Sequence, residues 1–138
     1  MGTTRVWYLD NNTNDHELFR NLVAHLEVAT RRHLPLRCCS SIPAEGAAGE
    51  LLVVDAWSAS GCDADLLAFA ARCAKRRAFR CVLVFVPDEV ARSQGPLLEE
   101  LADARVVLVP KDPFHVARWV ALSIAELSER ESHAHEAG

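Results

Sequence analysis

Short apolar runs alternate with segments of helical periodicity along most of this 138-residue chain. Five runs have the length and composition of strands, and the last three of them are wholly apolar. Such uninterrupted runs are typical of strands that are covered on both faces, as in a parallel sheet. The predicted strands cover residues 6–9, 36–39, 51–54, 81–86 and 106–109.

Apolar residues recur at helical spacing in the segments between these runs. In the first segment, Leu18, Leu22 and Leu26 fall on one face of a helix. Asp63 can cap the second helix, and Pro113 suits the first turn of the last one. The predicted helices cover about residues 15–32, 63–77, 97–104 and 113–130. The link between the second and third strands is rich in glycine, so we expect the helix there to be much reduced.

Strands that alternate with helices imply right-handed βαβ units. The predicted architecture is therefore an α/β three-layer sandwich with a five-stranded parallel sheet between two layers of helices. No linker or repeat divides the chain, so residues 1–130 are expected to form one domain. Residues 131–138 are polar and are expected to form a disordered tail.

Composition mainly excludes classes of function. The net charge of −4 leaves no basic surface for nucleic acid, and no apolar run approaches the length of a membrane span. The first residues do not resemble a signal peptide, so we expect a cytoplasmic protein. Five cysteines without C-x-x-C spacing predict neither a disulfide framework nor a zinc site. No nucleophile and base can be paired by spacing, so no enzymatic activity is expected.

Charged residues follow within two positions of the ends of three predicted strands. Asp10 comes after the first strand, Asp55 after the third and Lys111 after the fifth. Because ligands of open parallel sheets bind outside the carboxyl ends of the strands, we expect these three side chains to lie close together.

These positions resemble the motifs of response-regulator receiver domains over about residues 5–130. The motifs that carry the resemblance are LDN at residues 9–11, LVVD at 52–55 and VPKDPF at 109–114. Receivers have a flavodoxin-like fold with strand order 2-1-3-4-5, an acidic pair after strand one, a phosphorylated aspartate after strand three and a lysine after strand five. The resemblance implies that Asp55 is the phospho-acceptor and that Lys111 clamps the phosphate. It also implies a Mg²⁺ site at Asp10, Asn11 and Asp55, since phosphoryl transfer needs a cation on the phosphoryl oxygens.

Three positions depart from the receiver pattern. Asn11 stands in place of the second acid, which predicts weak Mg²⁺ binding because an amide carries no charge. Receivers also carry a serine or threonine after strand four, and Val86 occupies that place here, since residues 81–92 contain no serine or threonine. Receivers also have an aromatic switch residue in strand five, and Leu108 replaces it here. A buried leucine has no polar group that would favour a second, outward-facing position. The phosphorylation switch is therefore expected to be impaired or absent.

A stripe on the last predicted helix is the main candidate for a partner surface. His115, Trp119 and Leu122 are spaced by four and three residues, offset from the inward face of the helix. Receivers commonly dimerise or dock through the face that includes this helix. Trp57, in the predicted loop after Asp55, is a further candidate because it could cover the pocket or contact a partner.

The sequence thus predicts an atypical receiver-like signalling domain that acts mainly by protein–protein interaction. Its partner would be another protein or a second copy of the chain, with neither nucleic acid nor membrane involved. Two alternatives stay open. The domain could be a functional receiver that a histidine kinase phosphorylates on Asp55, or a flavodoxin-like domain that binds a small ligand at the same strand ends.

Overall fold

A five-stranded sheet, entirely parallel, forms the centre of the protein. The computed structural model describes residues 2–44, 46–58, 61–93 and 95–137, with side chains described up to residue 130. Seven strands follow in chain order: β1 (Val6–Asp10), β2 (Leu36–Cys39), β3 (Gly49–Asp55), β4 (Trp57–Ser58), β5 (Gly61–Cys62), β6 (Phe79–Val86) and β7 (Val107–Pro110). The sheet has the order β2-β1-β3-β6-β7, and β4 and β5 form a separate antiparallel pair.

The α/β class and the five-stranded parallel sheet are confirmed, and they are compatible with a flavodoxin-like fold. The numbered strand order differs from the predicted 2-1-3-4-5, because the β4–β5 pair lies between the third and fourth strands of the sheet. This pair is not predicted by the sequence, since strands of two residues are too short for a period-two pattern.

Helices cover both faces of the sheet. They are α1 (Thr13–Thr30), α2 (Ala64–Arg76), α3 (Asp88–Ser93), α4 (Pro96–Asp103) and α5 (Pro113–Ala137). The short α3 is not predicted by the sequence, and α5 continues past the expected end near residue 130. The proposed division into a domain of residues 1–130 and a polar tail stays a prediction. None of the described helices is both long and apolar enough to cross a membrane.

The core consists of two apolar layers, one on each face of the sheet. In the first layer α1 and α5 pack on the sheet, and in the second α2 and α4 do so. Strand β3 supplies both layers, with Val53 facing the first and Leu52 and Val54 facing the second. Burial on both faces explains why residues 51–54 show no alternation of apolar and polar positions.

The second layer is incomplete beside β2. As expected from its glycines, the link between β2 and β3 carries no helix in residues 40–44 and 46–48. Arg37 of β2 lies on this side and places its guanidinium 5.0 Å from the centre of the Trp7 ring. Trp7 in turn meets Phe79 edge-on, with 6.2 Å between the ring centres. A charged side chain with an apolar stem thus covers the ring where a helix is missing.

Candidate functional site

Three carboxylates gather at the carboxyl edge of the sheet. Asp10 ends β1 and Asp55 ends β3, and these two residues are direct partners in the strand register. Asp15 joins them from the first turn of α1. An oxygen atom from each carboxylate lies within 4.8 Å of the other two. Asp10 and Asp55 are buried and Asp15 is half-buried, so the group forms an enclosed acidic cluster.

Asp10 is fixed by a network of hydrogen bonds. The Tyr8 hydroxyl donates to Asp10 Oδ2 at 2.7 Å, and the backbone N–H of Asn12 donates to Oδ1 at 2.8 Å. His16 Nε2 lies 2.6 Å from the Asp10 carbonyl oxygen, which can only accept, so this ring nitrogen carries the proton. Burial raises the pKa of the Asp10 carboxyl, and the hydrogen bonds from the Asn12 N–H and the Tyr8 hydroxyl oppose only part of that effect. The Tyr8 ring stacks on Phe19, which anchors the network to the core.

Asp55 is paired with Lys111 from the end of β7. Lys111 Nζ lies 3.0 Å from Asp55 Oδ1 and also donates to the carbonyl oxygen of Trp57 at 2.5 Å. Burial raises the pKa of Asp55 from 3.8 to about 6, although the Lys111 ammonium acts in the opposite direction. The nearby Asp10 carboxylate raises this pKa further. The Lys111 ammonium therefore stabilises a negative charge on Asp55 that burial and the neighbouring Asp10 carboxylate disfavour.

The structure brings Asp10, Asp55 and Lys111 to one edge of the sheet, as the sequence predicts. Asn11 is exposed, and Asp15 supplies the third carboxylate of the cluster. The cap of α1 is Asn12, whose side chain accepts from the N–H of Asn14, so Asp15 lies inside the first turn of the helix. No sequence pattern singles out Asp15, because its place in the cluster depends on how the first turn of α1 lies over the end of β1.

The acidic cluster fits a small divalent cation. Magnesium prefers carboxylate oxygens at about 2.0–2.1 Å, so two ligand atoms of one ion are separated by roughly 4 Å or less. Oxygens of Asp10, Asp15 and Asp55 within 4.8 Å of one another would need only small side-chain movements to meet this requirement. A bound ion would neutralise the repulsion among the carboxylates and any anion held beside them.

The two predicted switch positions carry apolar side chains. Val86 is buried at the end of β6 in the layer of α2 and α4, and its carbonyl oxygen accepts the backbone N–H of Lys111 at 2.9 Å. Leu108 of β7 is half-buried against the same layer. Neither side chain can form a hydrogen bond with a group at the acidic cluster.

The predicted stripe on α5 is exposed. Trp119 retains 37% of its accessible surface and Leu122 retains 50%. His115 is also exposed, and its Nδ1 forms a short contact with Asp112. Asp112 caps α5 by accepting the backbone N–H groups of Phe114 and His115, and the contact with His115 lowers the pKa of its carboxyl.

Trp57 does not behave as the free loop residue that the sequence predicts. It lies in β4 opposite Cys62 and is half-buried against the layer of α2 and α4. Its indole therefore contributes to the packing of that layer, and its backbone forms hydrogen bonds with residues of the acidic site. The Trp57 N–H lies 3.4 Å from Asp55 Oδ1, and its carbonyl oxygen holds Lys111.

No protein-family model matches the chain, and no curated protein matches it in sequence. The functional interpretation therefore depends on the geometry of this site and of the exposed surfaces.

Proposed function

We propose that this chain is an atypical receiver-like signalling domain that acts mainly by protein–protein interaction, with an impaired or absent phosphorylation switch. The observation that carries this proposal is the composition of the strand-end pocket. It combines the Asp55–Lys111 pair with an aliphatic Val86 at the end of the neighbouring strand.

The lack of a hydroxyl at this point has a mechanical consequence. In a two-state switch, a modified carboxylate must form a contact that exists in only one of the states. Val86 offers no donor to a phosphoryl group, and Leu108 offers no polar side chain that would prefer solvent in one state. Lys111 could thus bind a phosphoryl group on Asp55. Neither Val86 nor Leu108 could respond to that group by forming a new hydrogen bond, so the modification would not be transmitted through them.

The α5 surface supports a binding role. Trp119 and Leu122 are exposed at a spacing of three residues on a helix that is anchored by Val120 and Ile124. Exposed tryptophan on a rigid helix is a frequent centre of binding energy in protein interfaces. We propose that a second copy of the chain, related by a two-fold axis, is the partner of this surface, because isologous contacts are the commonest mode of self-association.

Replacing Trp119 by alanine should weaken self-association by about tenfold or more, the range of a hot-spot residue. Sedimentation equilibrium of the wild type and the variant measures this effect directly. Val28→Ala on α1 is the control, because Val28 is 80% exposed and lies outside the α5 surface. A wild type that stays monomeric, or a Trp119→Ala variant that associates as the wild type does, would contradict a dimer through α5.

One observation favours the second candidate, a working phospho-acceptor. Asp15 restores the third carboxylate that Asn11 lacks, so the cluster has the charge that a magnesium-dependent phosphoryl transfer requires. In that case a histidine kinase would be the phosphoryl donor and Asp55 the acceptor.

Amide NMR shifts upon addition of magnesium and then beryllofluoride distinguish the two candidates. For the signalling module without a switch, we expect magnesium shifts around Asp10, Asp15 and Asp55 and no beryllofluoride-dependent shifts in α5. Beryllofluoride shifts that reach Trp119 and disappear in Asp55→Asn would instead establish the working receiver. Asp65→Asn serves as the control, because Asp65 is exposed on α2.

A further inference from the structure

A cleft of about 450 Å³ lies between α1 and α5, and at one end it opens onto the strand-end pocket described above. Its walls are apolar, with Leu18 and Leu22 contributed by α1 and Val116 and Ala117 by α5. Leu18 keeps 69% of its surface exposed, so a ligand in the cleft could cover apolar surface that the fold leaves in contact with water. The volume lies within the range of about 300–1,000 Å³ that is typical of small-molecule sites.

The cleft is polar at one end only, where it meets the carboxyl edge of the sheet. Its charged lining residues there are Asp15, Asp55, Lys111 and Asp112. Lys111 is paired with Asp55, and Asp112 is paired with His115. Asp15 faces Asp10 within the acidic cluster and has no cation among its described ion-pair partners. The polar end therefore carries an excess of negative charge.

The acid and the apolar wall form one continuous stripe. Asp15, Leu18 and Leu22 are separated by three and four residues on α1, so their side chains line the cleft in succession. A ligand that lies along the helix would meet apolar side chains over its length and a carboxylate at its end.

We propose that this cleft binds a small hydrophobic amine, with its apolar body between α1 and α5 and its ammonium group on Asp15. Burial of the ligand body covers Leu18, and the ammonium group supplies a cation to Asp15, because Lys111 at the same end is already paired with Asp55. A carboxylate of the same shape would meet Asp15 and Asp55 and is disfavoured by repulsion. The proposal requires neither phosphorylation nor a metal ion, and because Asp15 also belongs to the acidic cluster, a divalent cation bound there would compete with the amine.

Three probes of similar shape test the charge preference: phenethylamine, 2-phenylethanol and 3-phenylpropionate. Each is titrated into the isotope-labelled chain in the presence of a chelator, and amide shifts are followed. We expect phenethylamine to shift the amides that line the cleft, residues 15–22 and 113–117, and to bind about tenfold or more tightly than 3-phenylpropionate. Equal or tighter binding of the carboxylate, or shifts outside these segments, would overturn the proposal.

Two variants locate the site. Asp15→Asn should weaken phenethylamine binding by about tenfold while 2-phenylethanol binding is unchanged. Leu18→Asn should weaken the binding of both phenethylamine and 2-phenylethanol. Val28→Asn should change the binding of neither, because Val28 is exposed on the same helix but lies outside the cleft. Unchanged amine affinity in Asp15→Asn would refute the role of that carboxylate. Retained 2-phenylethanol binding shows that this variant is folded.

Discussion

Replacing Lys111 by methionine is expected to destabilise the folded domain by about 3 kcal/mol at pH values above about 7, the lower end of the range for a broken buried ion pair. Asp55 is 4% exposed, and Lys111 is the cation that contacts it. Methionine preserves most of the side-chain volume, so the effect arises mainly from the uncompensated charge. The free energy of unfolding from urea titrations measures this loss.

The pH dependence separates the charge effect from any packing effect. Asp55 becomes protonated as the pH falls through about 6, so the difference between wild type and Lys111→Met should shrink toward zero by about pH 4. Lys75→Met is the matched control, because Lys75 is exposed in the last turn of α2 and should contribute less than about 0.5 kcal/mol. Equal destabilisation at low and high pH would contradict the role of the Asp55 charge.

Replacing Asp55 by asparagine is expected to act in the opposite direction and to stabilise the domain by up to about 3 kcal/mol at pH values above about 7. The pKa of Asp55 is raised in the folded state from 3.8 to about 6, so folding favours the protonated carboxyl. Its contribution to stability is fully present below pH 3.8 and is lost as the pH rises through about 6. The uncharged amide does not undergo this loss.

Thermal unfolding at a series of pH values tests this expectation. The wild type should lose stability between about pH 4 and pH 6, whereas Asp55→Asn should show a flatter profile over that interval. In the Asp55→Asn background, Lys111→Met should have little further effect, because the two substitutions act on one pair. Asp65→Asn is the control for the loss of an exposed carboxylate. An Asp55→Asn variant that is less stable than wild type at neutral pH would contradict this expectation, because it would show that the charged carboxylate stabilises the fold.

A side chain that lowers the stability of its own fold invites a functional explanation. Groups with strongly shifted pKa values are concentrated at functional sites, where stability is lost for the sake of chemistry or binding. Asp55 meets this description, since burial raises its pKa from 3.8 to about 6 at the end of β3. The same reasoning predicts that a divalent cation at the acidic cluster should stabilise the wild type more than Asp55→Asn.

The sequence predicts the five-stranded parallel sheet and the presence of Asp10, Asp55 and Lys111 at its carboxyl edge. Strands β3 and β6 are recognisable because burial on both faces removes the polar positions that would otherwise alternate. Asp55 and Lys111 are recognisable because they are the first charged residues after buried strands. Parallel topology then places such residues side by side, whatever their separation along the chain.

Asp15 and Trp57 could not be assigned in the same way. Asp15 lies in a segment of consecutive polar residues, and its role depends on where α1 begins and how the helix is oriented over β1. Trp57 follows the site by two residues, and its burial depends on a two-residue strand pairing that leaves no pattern in the sequence. Both outcomes are set by tertiary packing, which local periodicity does not encode.

The helix-free link between β2 and β3 is also the segment of the fold that can best accept an insertion. The link leaves the edge strand β2 and crosses β1 to reach β3. Because Asp10, Asp15, Asp55 and Lys111 all lie outside it, the link can lengthen without removing a residue of the strand-end pocket. The entropic penalty of a longer loop increases only with the logarithm of its length. Arg37 already shields Trp7 on this side, so an inserted reporter or accessory module would meet a capped surface rather than an open core. This edge is the natural insertion point of the domain.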